Sequence, residues 1–152
     1  MKHAAWLLPL IIVLWVPAPL RAELPENTPA LVEHLEYLGY EVTTDTTRVI
    51  AKHTRYLNLV IRKFRGGLLV TSWYKGNAYA ADNRDDFKSF VNDLNVEAVA
   101  VRFYVDRVSD MMIEGYFPGV YDKTHFAAFL DAYNSAQAQL TKNIEDLRRF
   151  VD

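Results

Sequence analysis

Cysteine is absent from all 152 residues of the chain. This absence excludes structural disulfides, thiolate zinc sites, thiol nucleophiles and a lipidated N-terminal cysteine. A protein without such cross-links must be held together by an ordinary apolar core. Its length is sufficient, because about 130 residues can enclose one core as a single domain.

Recognisable catalytic and metal-binding motifs are also lacking. His34, His53 and His125 fall on separate predicted elements, and none belongs to an H-x-x-x-H or H-E-x-x-H pattern. We expect His34 and His125 on polar helix faces. Adjacent carboxylates such as Asp85 and Asp86 point in different directions on a helix, which favours solvated charges over an acid–base pair. The sequence predicts no catalytic residue, no metal site, no cofactor and no enzymatic activity.

The one long apolar run of the sequence lies at its N-terminus. Lys2 and His3 supply a basic start, the run extends from Ala4 to Leu20, and the small residue Ala22 follows. This order predicts a secretory signal peptide over residues 1–22, with cleavage after Ala22. An uncleaved membrane anchor is the alternative, although the run is shorter than the roughly 20 residues of a spanning helix.

The remainder of the chain has no excess of basic residues and is slightly acidic. Residues 23–152 contain 15 basic and 19 acidic side chains, a net charge of −4. A mildly acidic domain lacks the basic surface with which proteins bind nucleic acids or anionic lipids. With the predicted signal peptide, this charge favours an exported protein that has no nucleic-acid partner and no membrane span after cleavage.

The first half of residues 23–152 predicts one helix followed by strands. Thr28 is expected to cap a helix over residues 29–38, which ends at Gly39. Alternating apolar residues from 40 to 75 predict an antiparallel meander. Within it, Arg65-Gly66-Gly67 can supply the positive φ of a tight hairpin.

The second half predicts two helices separated by a hairpin. Asp82 is expected to cap a helix that Asn95 ends, and strand 98–105 is expected to pair with strand 111–117. A last helix over 123–150 would be about 42 Å long, too long for a domain whose radius of gyration is about 14 Å. The end of its 135–152 extension must therefore break, project into solvent or pack on another subunit. The fold class is α+β, an antiparallel sheet with packed helices.

The segment from Asp82 to Asn134 resembles the YbjN-type domains of bacteria, which are also described as candidate sensory transduction regulators. The likeness is carried by the helix end Val91–Asn95, the strand Ala100–Asp106 and the strand Met112–Phe117. The upstream segment 31–75 fits the opening helix and meander of the family more loosely. The resemblance implies a fold similar to type III secretion chaperones and a binding or regulatory role. It implies no enzymatic activity.

One face of the predicted C-terminal hairpin is a candidate partner-binding surface. If Val105 and Met111 flank the turn, antiparallel pairing places Arg102 opposite Glu114, an ion pair across the strands. The same pairing gives two apolar contacts on this face, one on either side of the ion pair. Exposed tyrosine, methionine and arginine side chains are typical of protein interfaces. Alternatively, the first or the last helix covers this face. The residues concerned are Arg102, Tyr104, Met112, Glu114 and Tyr116, with Ala100 expected opposite Tyr116.

The end of the last helix is a second candidate surface. Leu140, Ile144, Leu147 and Val151 have coiled-coil-like spacing, which favours a seam between two copies of the chain. The equal alternative is that the helix end folds back on its own domain.

These observations together favour an exported, non-enzymatic protein-binding or regulatory module. The signal peptide and the resemblance to a bacterial family imply a periplasmic protein, with secretion as the alternative. It would be chaperone-like in the manner of the similar fold, bind an unidentified protein partner and act as a homodimer. The alternative is a periplasmic small-ligand or lipid-binding protein, with a cleft around Trp73, Tyr74 and Tyr79.

Overall fold

The structure is a computed structural model that describes residues 23–152. The predicted signal peptide and its cleavage after Ala22 lie outside these residues. In chain order the elements are α1 (Thr28–Tyr37), β1 (Glu41–Thr44), β2 (Arg48–Lys52), β3 (Leu59–Phe64), β4 (Gly67–Tyr74), α2 (Ala78–Asp82), α3 (Arg84–Glu97), β5 (Arg102–Val105), β6 (Met111–Phe117), α4 (Lys123–Lys142) and α5 (Ile144–Leu147).

The six strands form one antiparallel sheet in the order β1-β2-β3-β4-β6-β5. The first four strands are the predicted meander, and β5 and β6 are the predicted hairpin. The hairpin joins the meander through β6, which pairs with β4 along its length, from Leu68 opposite Phe117 to Tyr74 opposite Met111. The predicted α+β fold class is confirmed.

Local hydrogen bonds explain the tight turns between the strands. The Asp45 carboxylate accepts hydrogen bonds from the backbone N–H groups of Thr47 and Arg48, at 2.8 and 3.1 Å. The Thr47 N–H and the Arg48 side chain lower the pKa of Asp45 to about 2. In the hairpin between β3 and β4, Arg65 and Gly66 have φ values of 46° and 78°, the positive-φ turn that the sequence predicts.

The helices pack on one face of the sheet and enclose the core there. Alternate residues of the strands point toward this face, as the pleat requires. Apolar side chains of α1, α3 and α4 meet them. The core includes Leu31, Leu35, Val49, Ile61, Val70, Phe87, Val91, Phe103, Ile113, Phe126, Leu130 and Tyr133.

Two predicted helix starts are displaced by neighbouring polar residues. Asn27, in the left-handed region, precedes α1, and the Thr28 hydroxyl donates to the Pro25 carbonyl instead of capping the helix. Further along, the Asn77 side chain accepts from the Ala80 N–H and so caps an additional short helix, α2. Asp82 is the last residue of α2 and not the cap of α3.

The predicted end of the following helix at Asn95 is also wrong. Helix α3 continues to Glu97 because the Asn95 amide bonds across to the next strand. Asn95 Nδ2 donates to the Phe103 carbonyl, and the Phe103 N–H donates to Asn95 Oδ1, both at 2.8 Å. The strand consequently begins at Arg102 and not at residue 98. Val99, which the predicted strand included, lies outside it and is 91% exposed.

The last helix breaks at Asn143, which is one of the three outcomes that its predicted length left open. Asn143 Nδ2 donates to the Gln139 carbonyl at 2.9 Å, and α5 adds only one turn. The chain then turns back, and the Phe150 ring stacks on Phe87 with centroids 4.7 Å apart. The bond from the Asp152 N–H to the Lys75 carbonyl, 3.1 Å long, fixes the end of the chain beside β4.

Candidate functional site

The second face of the sheet carries no helix within residues 23–152. Its side chains point away from the core, and we call this surface the open face. Three large aromatic side chains on it are exposed: Trp73 at 52%, Tyr116 at 45% and Phe64 at 42%. The open face comprises Glu41, Thr43, Arg48, Ile50, Lys52, Val60, Arg62, Phe64, Leu69, Thr71, Trp73, Arg102, Tyr104, Met112, Glu114 and Tyr116.

The candidate partner-binding residues all lie on this open face. Arg102 is opposite Glu114 and Tyr104 is opposite Met112, the pairings that the hairpin register predicts. The first and the last helix, which offered the alternative covering, pack on the other side of the sheet.

An ion pair joins the two strands at the edge of this face. Arg102 Nε donates to Glu114 Oε2 at 2.9 Å, and Arg102 Nη2 donates to the same oxygen. The hydrogen bond to Glu114 raises the pKa of Arg102 above its ordinary value. Because the guanidinium carbon also lies 4.9 Å from the centre of the Tyr104 ring, the arginine is held between its neighbours on the face.

Tyr116 is held differently from the sequence-based expectation. Ala100 is not its partner, because β5 begins at Arg102. Its hydroxyl instead donates to the Arg65 carbonyl at 3.1 Å, and its ring meets Phe64 edge-on with centroids 6.3 Å apart. Leu69 lies opposite Tyr116 on β4.

Sequence reasoning missed the contributions of β3 and β4 to this surface. Trp73 pairs with Met112 and so extends the row that Tyr104 and Met112 begin. The proposed cleft around Trp73, Tyr74 and Tyr79 does not form, since neighbouring residues of a strand point to opposite faces. Tyr74 packs against the core, while Tyr79 contacts Phe150 with ring centroids 5.7 Å apart.

Two shallow depressions mark the open face, and both are open to solvent. The larger, of about 430 Å³, is lined by Phe64, Leu69, Arg102, Glu114, Gly115 and Tyr116. The smaller, of about 210 Å³, is lined by Ile50, Lys52, Asn58, Leu59, Val60 and Trp73. Aromatic and aliphatic side chains line both depressions, together with the Arg102–Glu114 ion pair in the larger one and Lys52 in the smaller one.

Two arginines of like charge lie directly opposite each other on the open face. Arg48 pairs in register with Arg62. Arg48 contacts the Asp45 carboxylate at 2.6 Å, whereas Arg62 has no ion-pair partner among residues 23–152. Like charges directly across a sheet are unfavourable unless something compensates them.

The candidate dimer seam has contacts within its own chain. Leu140 and Leu147 are each 2% exposed and belong to the core, and Val151 bridges to Gly76. Ile144 is the most exposed of the four, at 36%. The helix end therefore folds back on its own domain, the alternative that the sequence left open.

The rings of His34 and His53 both take part in hydrogen bonds within the domain. His34 is not a surface residue: it is 5% exposed, and its Nδ1 lies 2.9 Å from the Tyr121 hydroxyl. Burial, and then the charge of Lys123, lowers the pKa of His34. His53 Nδ1 accepts two backbone hydrogen bonds from the loop that follows it. Residues 23–152 contain no cluster of three or more side chains suited to a metal ion.

The fold that these elements define is a six-stranded antiparallel sheet with helices on one face. It is similar to the crystal structure of YbjN from E. coli, which is described as a candidate transcription regulator. The two share a TM-score of 0.62 over 82% of this chain and 94% of that chain, at 11% sequence identity. The predicted resemblance is confirmed at the level of the fold.

Sequence comparison adds nothing to this, since no family model and no curated protein matches the chain. None of the helices described in residues 23–152 is long and apolar enough to cross a membrane.

Proposed function

We propose that this protein is an exported, non-enzymatic module that binds a protein partner through the open face of its sheet. The carrying observation is the combination of exposed Trp73, Phe64 and Tyr116 on a sheet face without a helical layer. A sheet normally buries its apolar surface against another layer. Exposed aromatic side chains among polar neighbours mark interaction sites.

The likeness to YbjN supports a regulatory role for the partner interaction. YbjN is described as a candidate transcription regulator. The family resemblance seen in the sequence adds the implication of a fold similar to type III secretion chaperones. This support is an analogy between folds. The contacts of the open face support the proposal independently. The Arg102–Glu114 ion pair and the Tyr116 hydrogen bond fix the orientation of these side chains, so that less conformational freedom is lost when a partner binds.

Site-specific photo-crosslinking in the native host tests the open face directly. A photoreactive phenylalanine analogue replaces Trp73 or Tyr116, and the matched control replaces Tyr37 on α1, which is 82% exposed. We expect a discrete protein adduct from positions 73 and 116 and none from position 37. Equal adducts at all three positions, or a bound lipid or small molecule in place of a protein, would contradict the proposal.

Export is the second part of the proposal and has its own test. A mature N-terminus at Glu23, measured by mass spectrometry of protein from a periplasmic fraction, would support cleavage after Ala22. A chain that retains residues 1–22 and sediments with membranes would support the anchor instead. In both outcomes the open face is assayed separately by the crosslinking experiment.

A further inference from the structure

The backbone of the sheet restricts what can lie on the open face. Strands β2, β3, β4 and β6 each have a neighbour on both sides, so their backbone groups are already paired. A segment lying over them meets side chains and must satisfy its own backbone hydrogen bonds. An α-helix does this internally, whereas an extended segment pairs at a sheet edge.

The apolar band of the open face has the length of a short helix. It follows β4 from Trp73, through Leu69, to the position of Gly67, which pairs with Phe64. This stretch is about 20 Å long at about 3.4 Å per strand residue. A helix of about 13 residues, between three and four turns, covers the same distance.

The charge of the open face defines the polar side of such a helix. Arg48 and Arg62 lie side by side, and Asp45 is the one carboxylate that contacts either of them among residues 23–152. The open-face residues include two acidic ones: Glu114 is bound by Arg102 and its side chain is 10% exposed, and Glu41 lies on β1 opposite Lys52. Acidic side chains on the partner would relieve the repulsion between the two arginines.

We propose that the open face binds an amphipathic helix of a protein partner, with its apolar stripe on Trp73, Leu69 and Phe64 and an acidic flank on Arg48 and Arg62. This inference rests on the proposed function and specifies the partner by shape and charge. The bound helix supplies the second layer that the sheet lacks within residues 23–152.

Peptide selection tests whether the open face binds a helix. The protein is produced from the full chain in cells, and it selects from a displayed library of random peptides of about 16 residues, long enough to form a helix of about 13 residues. We expect enriched peptides with apolar residues at helical spacing and Asp or Glu beside them. Arg62→Glu should weaken binding of a selected peptide by about tenfold or more. Replacing the acidic residues of that peptide with lysine should restore binding to the Arg62→Glu variant.

Arg107→Glu is the matched control, because Arg107 is an exposed arginine in the β5–β6 turn and is not one of the open-face residues. It should leave peptide affinity unchanged. Selected peptides without helical spacing, if Trp73→Ala still abolishes their binding, would overturn the helix and leave the proposed protein-binding function standing. Binding to phosphatidylglycerol vesicles with no enriched peptide would overturn both. A dimer that Tyr116→Glu dissociates would assign the face to a second copy and overturn the inference.

Discussion

At the scale of single residues, Thr71 is a buried polar side chain of the sheet whose hydrogen-bonding capacity is unsatisfied. It is 4% exposed on the open face, and its hydroxyl has no hydrogen-bond partner among residues 23–152. We expect Thr71→Val to increase the free energy of unfolding by about 1 kcal/mol, because it removes a buried unsatisfied group at nearly constant volume. Urea unfolding measures the change. Thr43→Val, at an exposed position on β1, is the control and should have little effect.

Phe103 shows how strongly one core side chain contributes to stability. It is 3% exposed at the centre of β5, whereas Val99, four residues earlier, is 91% exposed. Phe103→Ala should cost about 3–5 kcal/mol through lost burial and the cavity that remains. Val99→Ala should cost almost nothing. Thermal or denaturant unfolding in which the two variants behave alike would contradict the assignment of the core face.

At the scale of elements, Asn95 connects helix α3 to strand β5. Its amide exchanges two hydrogen bonds with the backbone of Phe103. Asn95→Ala should cost about 1–3 kcal/mol, because two partly buried backbone groups lose their partner. Amide hydrogen exchange should show the largest loss of protection at the start of β5. Asn92→Ala, on the exposed side of the same helix, should retain wild-type protection.

The elements that the sequence predicts well are those with local signals. Residues 65–66 contain the positive-φ turn signal, and the Arg102–Glu114 register follows from the hairpin turn alone. The predicted helix boundaries at Asp82 and Asn95 were wrong because the true boundaries depend on hydrogen bonds to residues outside these helices. Asn77 caps a turn whose position depends on a backbone bond to Phe150, and Asn95 bonds to a strand eight residues away.

At the scale of the whole molecule, the sequence predicts side chains for a candidate site but not which surface stays uncovered. Alternation places Tyr104, Met112 and Glu114 on one face. Whether a helix covers that face depends on the side of the sheet on which α1 and α4 pack. The spacing of apolar residues along a helix does not indicate that side. The positions of Trp73 and Phe64 on this surface were missed for the same reason, since only the strand order places β4 beside β6 and β3 on the other side of β4.

The packing of α1 against α4 makes the stability of the whole molecule depend on pH. His34 is buried beside Tyr121, and burial lowers its pKa below the ordinary value of 6.5. The unfolded chain therefore binds a proton more readily than the folded one, and stability must fall as pH decreases. The loss should begin near pH 6.5 and become complete below the folded-state pKa of His34.

Urea unfolding at about pH 7.5 and about pH 5.5, on either side of the ordinary histidine pKa, measures this loss. His34→Gln replaces the imidazole with a group that does not titrate, so its free energy of unfolding should change less between the two conditions than that of the wild type. His125→Gln is the matched control, because His125 is exposed at the start of α4 and its replacement leaves the His34 contact intact. A His34→Gln variant that kept the full pH dependence of the wild type would contradict the assignment of this loss to His34.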